Sequence, residues 1–187
     1  MKSLQHLWRL PSAIPVTADE ILEFHAARLL LLILLCGKKQ SKTSQPRIDG
    51  LTKMAKLDFF VRYPEFFERI AAHIKKLEVS RPNIESSMVR HHYGPWDKRY
   101  YHVLAYLESK ELISVEKSKN TYLLHLTAQG TAIAEELKQR SPFQPLVEQM
   151  QAVKKLLGNK TGSSLKELIY KVFREEVADK RLGEVIR

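Results

Sequence analysis

Histidines are the side chains in this sequence best suited to metal binding or acid–base catalysis, and His91 and His92 are adjacent. Neighbouring side chains of an extended segment point in opposite directions, and no Glu or Cys stands at a spacing typical of zinc ligands. The sequence also contains no glycine-rich phosphate loop, nucleophile elbow, HExxH motif or paired carboxylates. We therefore predict a protein that is not an enzyme and that uses no metal or cofactor.

Cationic side chains are the second chemical feature of the sequence. The chain carries 31 Lys and Arg against 21 Asp and Glu, which gives a formal net charge of +10. Such an excess attracts polyanions and makes their binding dependent on salt. The charge indicates nucleic acid as a partner, with an acidic protein or an ordinary solvated surface as the alternatives.

The placement of these cations predicts contact with the nucleic-acid backbone. Base reading in the major groove uses Arg, Asn, Gln or Ser on a helix face. The outer face of the helix predicted after Asp97 offers Ala105 and Ser109, with no Asn or Gln, so we expect weak binding that is insensitive to sequence. The candidate backbone contacts are Lys98, Arg99, His102, Lys117 and Lys119, with a basic loop that carries Lys38, Lys39, Lys42 and Arg47.

Length and composition limit the scaffold that positions these groups. At 187 residues, 44% hydrophobic and 28% charged, the chain can form one core with a small second lobe, but hardly two full domains. Its single cysteine, Cys36, excludes an intramolecular disulfide, and no apolar leader segment opens the sequence. We therefore expect a cytoplasmic protein with no membrane contact.

The first predicted helix runs from about 18 to 36. Thr17 and Glu20 form a capping box at its start. The leucine-rich run 29–35 is too short and too closely flanked by charge to span a membrane, so this is a buried helix.

The next segment alternates loops and short helices. A polar, basic loop is predicted over 37–47, and Asp49 is predicted to cap a helix over about 50–62. Pro64 opens a third helix with apolar residues at helical spacing. The Pro- and Gly-containing segment 80–96 is predicted to be mainly irregular.

The spacing of apolar residues changes from helical to alternating after the next predicted helix. Asp97 is predicted to cap a helix over about 98–110, after which apolar residues alternate over 112–116 and 121–126. These segments predict a β-hairpin with a four-residue polar tip. Thr127 then caps a further helix.

Two amphipathic helices are predicted after the break at Pro142. The second opens with the capping box Ser164–Glu167. The apolar helices present more surface than a winged-helix core of about 90 residues absorbs, which favours a permanent partner, unless the helices pack on each other. The stripe predicted to contact that partner is Leu165, Leu168, Ile169, Val172 and Phe173.

The order of helices, hairpin and helix is that of a winged helix. Residues 100–113, YYHVLAYLESKELI, and 114–130, SVEKSKNTYLLHLTAQG, resemble the recognition helix, wing and following helix of MarR- and PadR-type regulators. We expect a mainly α fold with a small β-hairpin. The predicted parts are an N-terminal arm over 1–16, a winged helix-turn-helix domain with its N-terminal hydrophobic helix over 17–140, and a C-terminal helical extension over 141–187.

Three further segments resemble the small middle component of three-component ABC ATPase systems, including the C subunit of Lamassu-type antiphage defence. They are DGLTKMAKLDFFVRYP at 49–64, SMVRHHYGPW at 87–96 and SSLKELIYKVFREEV at 163–177. The resemblance implies a non-catalytic subunit that sits with an SMC-like ATPase and an effector such as a nuclease. The alternative is a homodimeric DNA-binding transcriptional regulator of MarR or PadR type, with the first and last helices at the dimer interface.

Overall fold

The computed structural model describes residues 20–39, 45–75, 88–91 and 94–186. The fold is mainly helical with a small amount of antiparallel sheet, which confirms the coarse prediction. The helices are α1 (Leu22–Cys36), α2 (Leu51–Arg62), α3 (Pro64–Lys75), α4 (Tyr100–Ser109), α5 (Ala128–Gln139), α6 (Gln144–Leu157) and α7 (Gly162–Val172), followed by a π-helical turn at Arg174–Ala178. The strands are β1 (Lys38–Lys39), β2 (Pro46–Asp49), β3 (Val89–His91), β4 (Gly94–Trp96), β5 (Ile113–Ser118) and β6 (Thr121–Leu126).

A four-stranded sheet has the order β1-β2-β6-β5, and its strands β1 and β2 take up the two ends of the predicted loop over 37–47. Strand β2 pairs with β6 so that Ile48 lies opposite Leu124, and both side chains are buried. Asp49 belongs to this strand and does not cap α2, which instead begins after Gly50 at a φ of 98°. The pairing joins segments more than 70 residues apart, which a local pattern of four residues does not reveal.

A second difference concerns residues 88–91 and 94–96, the described part of the segment that was predicted to be mainly irregular. Strands β3 and β4 form a two-stranded sheet, with Val89 opposite Trp96. The C-terminal segment runs along the other edge of β3, where Ile186 N–H donates to Met88 O at 2.8 Å. The end of the chain therefore holds this hairpin in place.

Helix α1 is the centre of the hydrophobic core. It packs against α5 and α6, and Leu29, Leu31, Leu32 and Ile33 have no exposed surface. The helix ends at Cys36 as predicted, but it begins at Leu22 with Ile21 as a cap that makes no side-chain hydrogen bond. The predicted capping residue, Thr17, lies outside the described residues.

The hairpin and the helices that flank it follow the local prediction closely. Helix α4 buries its inner face, although it begins at Tyr100 and not at Lys98. Strands β5 and β6 extend to the two-residue turn Lys119–Asn120, so the predicted four-residue tip is too long. Thr127 caps α5 as predicted, with its hydroxyl accepting from Gly130 N–H at 2.9 Å.

The apolar stripe of α7 is covered by the chain itself. Leu165, Ile169 and Phe173 have no exposed surface, and the ring of Phe173 packs edge to face on Phe66 with centroids 4.7 Å apart. The interpretation of Leu165, Leu168, Ile169, Val172 and Phe173 as an exposed partner contact is therefore corrected, because Leu168 and Val172 are also half-buried. Helices α6 and α7 share one hydrophobic cluster with α1 and α2, so residue 140 marks no break in the core.

The start of α7 also differs from the prediction. The capping residue is Thr161, whose hydroxyl accepts from Ser164 N–H at 3.1 Å. Ser164 is inside the first turn and is not the cap. Thr161 and Ser164 are hydroxyl residues three positions apart, and either could cap this helix. In the structure the cap is the earlier residue, Thr161.

A buried ionic network joins α1, α2 and the start of α4. Arg28 Nε donates to Asp58 Oδ1 at 2.9 Å, and Tyr100 Oη donates to Asp58 Oδ2 at 2.7 Å. Arg62 NH1 donates to Asp97 Oδ2 at 2.7 Å. Arg28, Asp58, Arg62 and Tyr100 are all at most 1% exposed. Three separate segments are thereby tied by charges that have no access to water.

We expect Asp58→Asn to lower the free energy of unfolding by about 3–5 kcal/mol, because the change leaves buried guanidinium groups without their carboxylate. The matched control is Asp179→Asn, since the Arg174–Asp179 ion pair is 79% and 57% exposed. That control should cost less than about 1 kcal/mol. Urea unfolding followed by circular dichroism measures both changes, and equal losses would contradict the role given to the network.

Candidate nucleic-acid interface

A cleft of about 580 Å³ opens where the tip of the β5–β6 hairpin approaches the starts of α2, α4 and α7. Strands β3 and β4 supply its remaining wall. The cleft is positioned by a hydrogen bond from Gly50 N–H to Tyr122 O at 2.8 Å, which fixes the start of α2 against β6. The amino ends of α2 and α7 both border it, and each carries a partial positive charge from its helix dipole.

Aromatic rings line this cleft on several elements. Trp96 is 5% exposed and stacks on His91 with ring centroids 5.3 Å apart. The same indole lies 5.9 Å from the ring of Tyr101, which is 61% exposed in the first turn of α4. Tyr122, on β6, is 42% exposed. Two large rings therefore face water at the rim of a concave surface.

Lysines from α2 and α7 also line the cleft. Lys53 is buried, and its Nζ donates to Gly158 O at 2.7 Å. Burial lowers the pKa of Lys53, and the positive charges of Lys38 and Lys154 lower it further. Lys166 is half-buried, with Nζ 5.3 Å from the centroid of the Tyr170 ring.

Lys56 lies behind the β4 wall of the cleft. Its Nζ donates to Pro95 O at 2.9 Å, and the side chain has no exposed surface. Burial, with a smaller contribution from the charge of Lys166, lowers the pKa of Lys56 to about 7. Gly94, at a φ of 93°, leaves room for this side chain, because a Cβ there would lie 3.0 Å from Lys56 Cε.

Four of the predicted phosphate contacts lie on exposed surface near this cleft. Lys117 and Lys119 are exposed in the hairpin, and Lys98 and His102 are exposed around the start of α4. Lys117 lies directly opposite Tyr122 in the strand register, so the two side chains share a face of the hairpin.

Arg99 does not belong with these exposed cations. Its NH2 donates to Asp97 Oδ2 at 2.7 Å and its Nε donates to Asp97 Oδ1 at 3.0 Å, while NH1 lies 2.9 Å from His25 Nε2. Burial alone would raise the pKa of Asp97, but hydrogen bonds from Arg99 and the charge of Arg62 hold it well below its usual range. Arg99 is thus part of the ionic network, and its assignment as a backbone contact stays a prediction.

The described cations of the predicted basic loop lie on other strands than the hairpin lysines, although Lys38 is close enough to Lys53 for its charge to lower the pKa of that lysine. Strand β1, with Lys38 and Lys39, lies at the opposite edge of the sheet from β5. Three strand spacings separate those edges by about 14 Å. Arg47 forms an ion pair with Asp49, and Lys42 lies outside the described residues.

Sequence reasoning missed the aromatic part of the site. Tyr101 carries a readable signal, since it falls outside the buried face formed by Tyr100, Val103, Leu104 and Leu107. A large aromatic ring on the outer face of an amphipathic helix is a candidate contact. The roles of Tyr122 and Lys166 depend on how distant elements meet and have no local signal.

Three further features of the described ranges bear on function: the grouping of metal-ligand side chains, the reactivity of the thiol and the ability of a helix to span a membrane. There, no group of three or more His, Cys, Asp or Glu side chains is arranged to hold a metal ion. Cys36 is buried, and burial raises the pKa of its thiol to about 12. None of the helices in the same ranges combines the length and apolar character needed to cross a bilayer.

Comparisons of this chain with family models, with curated proteins and with solved structures found no match.

We expect the free energy of unfolding to rise with pH between about 7 and 9 because of Lys56. The folded state releases this proton near pH 7, whereas the unfolded chain holds it to about 10.5. The unfolded state therefore binds more protons over this window, and stability increases as the pH rises. Relative to Lys56→Met, the wild type should gain about 2 kcal/mol from pH 7 to 9.

Urea unfolding at each pH measures this difference. The control is Lys155→Met, because Lys155 is exposed on α6 and its removal should leave the pH dependence unchanged. Parallel stability curves for the wild type and Lys56→Met would contradict the lowered pKa.

Proposed function

We propose that this chain is a non-catalytic winged-helix subunit that holds the nucleic-acid backbone with its β5–β6 hairpin and the start of α4. The order α1, β2, α2, α4, β5, β6 supports the winged-helix assignment. The pairing of β2 with β6, and of β6 with β5, matches a wing attached to a three-stranded sheet. Helix α3 and the β3–β4 hairpin are then an insertion before the recognition helix.

The observation that carries the proposal is the grouping of three exposed lysines and one exposed histidine on adjacent elements. Lys117 and Lys119 lie on the hairpin, and Lys98 and His102 lie at the start of α4. The inner face of α4 is buried and anchored through Tyr100, so the outer face is presented in a fixed orientation. Fixed cations on a helix and a wing suit phosphate contacts, which position a protein on nucleic acid.

The outer face of α4 favours backbone contact over base reading. Tyr101, His102, Ala105, Glu108 and Ser109 are exposed there. None is an Arg, Asn or Gln, and the hydroxyl of Ser109 donates to Tyr106 O at 2.8 Å. Glu108 would repel phosphates near the end of the helix. The expected binding is therefore electrostatic and tolerant of sequence.

The wider assignment is an accessory role in an SMC-like, ABC-headed ATPase complex with an effector, as in Lamassu-type antiphage defence. It is supported by the resemblance of the segments at 49–64, 87–96 and 163–177 to middle components of such systems. Because the apolar stripe of α7 is buried within the chain, it no longer indicates a permanent partner. The ATPase would have to contact another surface. The homodimeric regulator loses support for the same reason, since α1 and α7 lie in the core.

We expect the double variant Lys117→Gln/Lys119→Gln to weaken binding to all duplex DNA sequences alike. Loss of two phosphate contacts should reduce the slope of log K against log salt by about 2. The matched control is Lys38→Gln/Lys39→Gln, which removes the same charge at the opposite edge of the sheet and should have a smaller effect. Fluorescence anisotropy over a salt series measures both slopes.

Equal slopes for the two double variants would contradict the assignment of the hairpin as the contact surface. One duplex bound more than about 10³-fold tighter than the others at physiological salt would favour the transcriptional regulator.

A further inference from the structure

We propose that the cleft beside the hairpin binds an unpaired nucleotide of single-stranded nucleic acid, with its base stacked on Tyr101 or Tyr122. This inference rests on the proposed function, because Lys117 of the same hairpin would hold the adjoining phosphate. It adds a preference for base-bearing single strands, which backbone contact alone does not give. The cleft, at about 580 Å³, lies within the usual range of small-ligand sites.

The two exposed tyrosines stand on backbone that the fold holds in place. Tyr101 rests against Trp96, which itself packs edge-on against buried Tyr100 with ring centroids 5.3 Å apart. The backbone of Tyr122 is fixed by its carbonyl, which accepts from Gly50 N–H. A site whose backbone is fixed before binding loses less conformational freedom when a base stacks on it.

Each exposed ring has a lysine near it, in the strand register for Tyr122 and in the sequence for Tyr101. Lys117 is the cross-strand neighbour of Tyr122, and such pairs have Cβ atoms about 4.5–5.5 Å apart. Lys98 is exposed three residues before Tyr101. A ring beside a cation is the arrangement by which proteins hold single strands, with the base on the ring and the phosphate at the cation.

The lining of the cleft adds positive charge and little that opposes an anion. Lys53 and Lys166 belong to that lining. The one carboxylate among the lining residues, Asp49, is ion-paired with Arg47. The net field of the lining side chains is therefore suited to a phosphate.

The chemistry favours a single strand over a duplex. Bases inside a duplex stack on each other, and their faces reach a protein ring only when the nucleotide is flipped out. Stacking surfaces at the rim of a cleft therefore act on unpaired bases, at strand ends, gaps or loops. An intact duplex would engage the cations and leave both tyrosines unused.

The experiment compares the full chain on two labelled oligomers of about 12 nucleotides, one of thymidine and one abasic, which carry equal charge. Fluorescence anisotropy at one salt concentration gives the ratio of their affinities. We expect the thymidine oligomer to bind about 10-fold tighter or more, since stacking on one ring is enough for such a ratio.

Two double variants then test whether the tyrosines of the cleft cause the difference in affinity between the two oligomers. Tyr101→Ala/Tyr122→Ala should bring it close to one while duplex affinity changes less than about twofold, whereas Tyr101→Phe/Tyr122→Phe should retain it, because phenylalanine also stacks. Circular dichroism melts check that both double variants fold as the wild type does.

The outcomes separate this inference from the proposed function. Salt-dependent duplex binding with equal affinity for both oligomers would overturn the inference alone, as would a ratio unchanged by the alanine variant. Binding to none of these nucleic acids would overturn the proposed function as well. Thymidine 5′-monophosphate that binds as tightly as the thymidine oligomer would identify a free-nucleotide site and overturn the single-strand assignment.

Discussion

The ion pairs Arg28–Asp58 and Arg62–Asp97 are the constraint on which the arrangement of the site depends. Charges without access to water are costly unless each has its partner at good geometry. The set is satisfied only when α1, α2 and the segment before α4 meet in one orientation. The same network binds Tyr100, so it also sets the rotation of α4 and therefore the face that carries Tyr101 and His102.

Helix α2 is buried on all sides, because it packs against α1, α6 and α7 and against strand β4. Its polar residues Lys53, Lys56, Asp58 and Arg62 are consequently inside the fold, each with a carbonyl or charged partner. In this protein the C-terminal helices are a structural cover for α2, and a search for a partner surface has to begin elsewhere.

Local signals predicted the parts of the fold that local interactions determine. The inner face of α4 and the Thr127 cap follow from spacing and from a hydroxyl that bonds three residues on, and both predictions are confirmed. The β2–β6 pairing and the β3–β4 hairpin depend on partners far along the chain, so the sequence pattern did not reveal them.

The site was predictable to a similar extent. Lys98, His102, Lys117 and Lys119 are exposed near one cleft, and that grouping followed from the predicted helix and hairpin. Arg47 and Arg99 each form an ion pair with an Asp two residues away, at Asp49 and Asp97, which the sequence interpretation did not foresee. Arg47 and Asp49 are two apart in strand β2 and so lie on the same side, and their spacing was a usable warning of an ion pair.

The most direct test of the account is amide hydrogen exchange of the full chain with and without duplex DNA, read by mass spectrometry. The account predicts slower exchange at the start of α4 and in the β5–β6 hairpin, with β1 and α6 unchanged. Protection centred on β1 or α6, or no protection at salt concentrations where binding is saturated, would contradict the claim that the hairpin and α4 hold the nucleic-acid backbone.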